Sequence, residues 1–191
     1  MLVLVTLVWS GWAMAEESPQ ALVERVTQQV LEVIRAKNPQ TESEQESLNQ
    51  EIGEILGPVV AFDYISHGVM GDFARQASSA QRDRFSAVFQ NNLISTYAKG
   101  MGVYANLDVV TEPLMGDIGD ARKVSVTQKI SGEGSEHTVV YSLGKSKVDN
   151  QWKLLNVIIN GVNLGTTFRS QFSQSMKKYG DLDAVIDNWA G

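Results

Sequence analysis

At Leu107 the spacing of apolar residues changes, and that change limits the folds open to this chain of 191 residues. Upstream, apolar side chains recur every three or four positions, as on a helix. Downstream they recur every second position, as on a strand half buried against a core. The longest upstream stripe is Phe85, Val88, Phe89, Leu93, Tyr97, Met101 and Tyr104, which reads as one helix capped by Ser79. Three helices are expected before it. Ser18 as N-cap and Pro19 at the first helical position open one that stops at Asn38-Pro39. Thr41 and Glu44 form a capping box for the second, which reaches Leu56-Gly57. Pro58 opens the third, which Gly71 closes after Met70.

Beyond Leu107 the pattern predicts four strands, at about 107–114, 122–131, 136–147 and 151–160. In the second, Val124, Val126 and Ile130 alternate with Lys123, Ser125, Thr127 and Lys129. In the third, Val139, Tyr141 and Leu143 alternate with Thr138, Val140 and Ser142. The stretches "GEGSE" and "VDNQ" read as hairpin turns, so the sheet is antiparallel. Two closing helices, about 163–179 and 181–190, make the whole an α+β domain. The last strand departs from simple alternation. Within "WKLLNVII", Leu154, Leu155, Val157, Ile158 and Ile159 make both faces apolar. Either the strand is sandwiched between layers, or one face lines a cavity; short apolar runs do not decide between these.

Residues 1–15, "MLVLVTLVWSGWAMA", are apolar and end in Ala13-Met14-Ala15, the pattern of a cleaved secretory signal peptide. They are fewer than the roughly 20 residues that span a bilayer. No Lys or Arg precedes the run, which leaves open whether the natural start lies upstream of Met1. The exported domain is then 16–191, a single unit. It has no cysteine, so its apolar core and not disulfides must supply its stability. A net charge of −6 argues against a nucleic-acid partner and against long residence on an anionic membrane.

Catalytic signatures are missing. His67 and His137 have no Cys or carboxylate at metal-ligand spacing and read as surface or capping residues. There is no G-x-S-x-G elbow. Gly132-Glu133-Gly134 resembles a phosphate loop but has no helix behind it. Gly100-Met101-Gly102 ends a helix where a dinucleotide fingerprint would open one. Asp181, Asp183 and Asp187 are explained by a solvated helix start. The expectation is a non-enzyme without cofactor or metal.

Three stretches carry a resemblance: "FDYISHGVMGDF" (62–73), "SSAQRDRFSAVFQNNLISTYAKGM" (78–101) and "WKLLNVIINGVNLGTTFRSQF" (152–172). In content and order they are similar to the MlaC family, also called toluene-tolerance auxiliary proteins of ABC transporters. The most specific positions are Phe62-Asp63, Ile65-Ser66, Gly71, Phe85, Phe89, Leu93, Tyr97, Trp152, Gly161, Arg169, Gln171 and Phe172. The chain departs from the family pattern at Phe73-Ala74, where an aromatic pair is common, and at Asn156 and Asn163, where Asp and Ser are common. The resemblance implies a twisted four-stranded antiparallel sheet wrapped by helices, similar to nuclear transport factor and cystatin-like folds, with an internal apolar cavity. It implies a soluble periplasmic phospholipid carrier, with the lipid as cargo, that maintains outer-membrane lipid asymmetry. Its partners would be an inner-membrane MCE-type ABC transporter and an outer-membrane lipoprotein–porin complex. The alternative is a non-catalytic structural or adaptor protein of the envelope, which would carry no lipid.

Parity then selects lining residues for that cavity: Phe89, Leu93, Tyr97 and Met101 from the long helix, with Val124, Val126, Val139, Tyr141, Trp152 and Leu154 from the sheet. Arg169 has two readings. It packs its stem on the sheet and bonds a carbonyl, or it offers a fork of donors to a lipid phosphate at the cavity mouth.

Overall fold

The computed structural model describes residues 17–37, 39–101, 107–116, 118–132 and 134–189, without the side chains of 99–101. The expected leader and Tyr104 lie outside these residues. Helix α1 (Pro19–Ala36) starts as expected, with the Ser18 hydroxyl accepting the Ala21 amide at 3.1 Å. Helix α2 (Glu42–Leu56) has both halves of its capping box: Thr41 Oγ1 accepts the Glu44 amide, and the Glu44 carboxylate accepts the Thr41 amide. The Gln40 amide, together with the Thr41 amide and hydroxyl, holds the Glu44 carboxyl below the usual carboxylate range.

The third helix begins later than Pro58. Helix α3 (Phe62–Met70) is preceded by a turn in which Val59 and Ala61 exchange backbone hydrogen bonds with Leu154, so residues 58–61 run beside a strand. A 3-10 turn, Gly71–Arg75, follows. Helix α4 (Ser79–Met101) is capped one residue earlier than expected. Ser78 Oγ accepts the Gln81 amide while Gln81 Oε1 accepts the Ser78 amide, a reciprocal pair that Ser79 has no Glu or Gln three positions on to form.

Among the described residues the sheet has five strands in sequential antiparallel order: β1 (Asp108–Thr111), β2 (Lys123–Gly132), β3 (Ser135–Lys145), β4 (Trp152–Ile159) and β5 (Val162–Asn163). The first is shorter than its alternation suggests, because Pro113 cannot donate to a ladder. The fifth, two residues long, adds to the four strands expected. It forms because Asn160, with φ +49, and Gly161 turn the chain back on Ile158 and Ile159. One irregularity matters below. Ser142 faces Asn156 but Leu143 faces Leu154, so Leu155 bulges from β4 with no opposite residue. Its side chain passes so close to Gly144 that a Cβ there would stand 2.6 Å from Leu155 Cδ1. Helices α5 (Leu164–Tyr179) and α6 (Leu182–Asp187) finish the chain, the latter shorter than expected because Asn188 caps it.

Two apolar clusters result. In the larger, helices α1 to α6 converge on rings from α4, α5 and the C-terminal segment. Phe85 stands edge-on to Phe172 at 4.9 Å and to Trp189 at 5.3 Å, and Phe89 edge-on to Phe168 at 5.3 Å. In the smaller, Leu22 and Val23 of α1 cover Val126, Leu143 and Trp152 of the sheet. Phe172 is fully buried and touches Phe73, Phe85 and Trp189. Phe172→Ala should therefore cost about 3–5 kcal/mol of unfolding free energy in urea titration. Tyr64→Ala, at an exposed site, should stay within about 0.5 kcal/mol of the parent.

Candidate functional site

Cross-strand register assembles the inner sheet face in columns. Val126, Tyr141 and Val157 stand side by side across β2, β3 and β4; Gln128, Val139 and Ile159 form the next column, and Val124, Leu143 and Leu154 the one before. Helix α1 seals part of this face, and Val126, Leu143 and Trp152 are buried there. Farther along, Tyr141, Val157 and Ile159 are only half-buried, so apolar side chains on the inner face keep some access to solvent.

One polar residue sits in this apolar surface. Gln128, 1% exposed, accepts from the Tyr141 hydroxyl at 2.9 Å and from Thr27 Oγ1 at 3.2 Å. Its amide nitrogen donates to Thr111 Oγ1 at 3.1 Å. A single side-chain amide thus ties α1, β1, β2 and β3 together, and its satisfaction offsets the cost of burial. Burial pushes the Tyr141 phenol up to about 12, against a smaller opposing pull from the Thr27 hydroxyl. Gln128 lies on the apolar face between Val126 and Ile130, and this polar interruption of the alternation is the one sequence signal that marks it.

The sheet residues expected to line a cavity do share this face. Val126, Val139 and Trp152 are buried in it, while Val124, Tyr141 and Leu154 are half-buried. On α4 the expected residues divide. Phe89, 1% exposed, belongs to the ring cluster. Leu93 and Tyr97 are half-buried, and burial raises the Tyr97 phenol. The side chain of Met101 lies outside the described residues.

Arg169 is elsewhere. It lines a cleft of about 730 Å³ with Tyr64, His67 and Gly68 of α3, Leu155 and Asn156 of β4, and Asn163 and Thr166 at the base of α5. Ile65 and Val69 contribute apolar lining, and Asp63 reaches the cleft with its carboxylate bonded to the Ser86 hydroxyl at 2.7 Å. The guanidinium rests against Gly71: a Cβ there would stand 2.9 Å from Arg169 Nε. Gly71 also has φ +58, so a side chain at this position is disfavoured twice. Asn156 holds the neighbouring wall, its Oδ1 accepting the Gly165 amide at 3.0 Å and its Nδ2 donating to Asn163 Oδ1 at 3.1 Å. That gives Asn156 a part in anchoring α5. His67, read from sequence as a surface residue, is exposed but lines the cleft. Among the described residues no group of three or more His, Asp or Glu is placed to hold a metal ion. Nor is any of their helices long and apolar enough to cross a membrane.

An antiparallel meander with α1 sealing part of its apolar inner face, and with α3 and α5 walling a polar-rimmed cleft at the outward residues of β4, defines the class: an α+β domain with a partly open apolar sheet face. A family model described as MlaC protein matches residues 24–191, and the chain belongs to that family. The toluene tolerance protein Ttg2D of Pseudomonas putida is 34% identical over 180 residues, 93% of this chain and 82% of that protein. The intermembrane phospholipid transport system binding protein MlaC of Haemophilus influenzae is 22% identical over 191 residues, 99% of this chain and 81% of that protein. The structure of the phospholipid-binding protein from Ralstonia solanacearum, in complex with a phospholipid, matches with a TM-score of 0.76 and 25% identity, over 91% of this chain and 94% of that one.

The buried phenol gives the site a signature in alkali. Tyr141 keeps its proton in the fold to about pH 12, while an unfolded tyrosine loses it near 10. Its contribution to stability is complete below pH 10 and falls as pH rises toward 12. Tyr141→Phe should flatten this part of the stability–pH curve, measured by urea titration at intervals across that range.

Proposed function

We propose that this chain is a soluble periplasmic carrier of diacyl phospholipid, acting as the single domain 16–191 after removal of residues 1–15. The observation that carries the reading is the half-buried apolar strip of the inner sheet face, in a chain of the MlaC family whose fold matches a Ralstonia solanacearum protein solved with a phospholipid. The acyl chains lie against Tyr141, Leu154, Val157 and Ile159 of the sheet, with Leu93 and Tyr97 of α4 as the helical lining. Val124, Val126, Val139 and Trp152 support that surface from the sheet, and Phe89 from the ring cluster. Lipid is taken from an outer-membrane lipoprotein–porin complex and handed to an inner-membrane MCE-type ABC transporter, or moved in reverse, in the service of outer-membrane lipid asymmetry. No bond need be made or broken, and no cofactor is required.

Energetics suit a shuttle. Each buried methylene gains roughly 0.8 kcal/mol, so two acyl chains gain on the order of 20 kcal/mol in any apolar place. A bilayer offers nearly the same gain. A carrier surface therefore needs to match membrane, not exceed it, and modest partner contacts can tip loading or release.

Protein expressed in a Gram-negative periplasm should retain one or two diacyl phospholipids per chain by native mass spectrometry and solvent extraction. Recovery of only lipid-free protein would overturn the carrier reading and favour an envelope adaptor. Val157→Trp should lower retained lipid severalfold while the delipidated protein melts within a few degrees of the parent. Phe89→Ala should do the opposite, costing about 3–5 kcal/mol of stability without changing which lipids are bound.

A further inference from the structure

The cleft beside Arg169 is separate from the sheet face assigned to acyl chains. Its strand residue Asn156 pairs with Ser142 and so points away from Val157 and the inner columns. Arg169 is exposed, and among the described residues it makes no hydrogen bond or ion pair. Asp63 lines the same cleft but accepts from Ser86 instead. Gly71, by lacking a side chain, leaves room for the guanidinium, which lies against it at the exposed wall of the cleft. Around it are the phenol of Tyr64, 60% exposed, and the exposed imidazole of His67; Ile65, Val69 and Leu155 add apolar surface.

The amides at the start of α5 are not the available donors. Gly165 and Thr166 already donate to Asn156 and Asn163. The unspent capacity is that of the Arg169 side chain, and a guanidinium fork fits two oxygens of one phosphate. Polar donors above apolar lining suit a phosphate carried on an apolar body. The geometry points to a phosphodiester-binding site in this cleft, with Arg169 as its principal ligand and Tyr64 at its rim. The assignment rests on the phospholipid reading above. The phosphodiester belongs either to the bound cargo or to a lipid still in a bilayer surface.

Delipidated full-length protein titrated with glycerophosphoethanolamine, a headgroup without chains, should show a saturable shift of the Arg169 Nε–H resonance. Arg169→Lys keeps the charge but loses the fork. It should bind this probe about tenfold more weakly, the loss of one charge-assisted hydrogen bond, at unchanged melting temperature. If the same variant also retains less phospholipid on purification, the phosphate is the cargo's. If retention is unchanged but flotation on phosphatidylethanolamine–phosphatidylglycerol vesicles weakens, the phosphate is the bilayer's. Both results support the site. An unmoved resonance overturns it, as does inorganic phosphate binding as tightly as the headgroup probe. A lower melting temperature for delipidated Arg169→Lys also overturns it, because Arg169 is then a structural prop for Gly71. Lipid-free wild type from the periplasm would sink the carrier reading alone, since the headgroup titration is scored independently of cargo.

Discussion

The outer side of β4 carries backbone donors and acceptors that need partners, and the way they find them organises the molecule. At one end, Leu154 exchanges hydrogen bonds of 2.8 and 3.0 Å with Val59 and Ala61, and the Lys153 ammonium reaches the Pro58 carbonyl at 2.8 Å. At the other end, β5 pairs with Ile158 and Ile159. The two short partners lead directly into α3 and α5, so both helices are anchored to one strand. Between them lie Leu155 and Asn156, which neither partner covers, and there the Arg169 cleft opens. The cleft is a consequence of how a strand is capped by two pieces instead of one.

This arrangement also settles why β4 is apolar on both faces. Leu154, Val157 and Ile159 belong to the inner columns, while Leu155 packs over Gly144 and lines the cleft. One face of the strand thus joins the inner columns beneath α1, and the other sends Leu155 to the outer cleft. Helix α4 divides similarly along its length. Its first turns, at Phe85 and Phe89, are locked in edge-on ring contacts, and its later turns, at Leu93 and Tyr97, are only half-buried.

Features governed by neighbours along the chain are legible in the amino-acid sequence. Ser18, Thr41 and Glu44 announce their helices because a cap is a bond across three residues. The alternation of Val124, Val126, Val139 and Tyr141 gives the inner face because a strand's side chains must alternate. Features set by distant partners are not legible in the same way. The segment from Pro58 to Ala61 looks like a helix start until Leu154, far along the chain, claims its backbone. The bulge at Leu155 depends on pairing with β3, and the cleft depends on that bulge together with two helices. Parity along α4 groups Phe89 with Leu93 and Tyr97, but depth is set by what packs opposite. Arg169 stands out by family resemblance, while the role of Gly71 beside it emerges only when the two are brought together in space.

Strand β1 stands at one margin of the sheet. That strand is four residues long, begins at Asp108, and is followed by Glu112 and then Pro113. A second chain seeking to extend the sheet would meet a short template ending in charges and a residue that cannot donate, which are features that discourage edge-to-edge pairing. Sheets whose apolar faces are partly uncovered are prone to stack and polymerise. Here the ladder offered at β1 is brief, which limits that route to association while the inner face stays partly open.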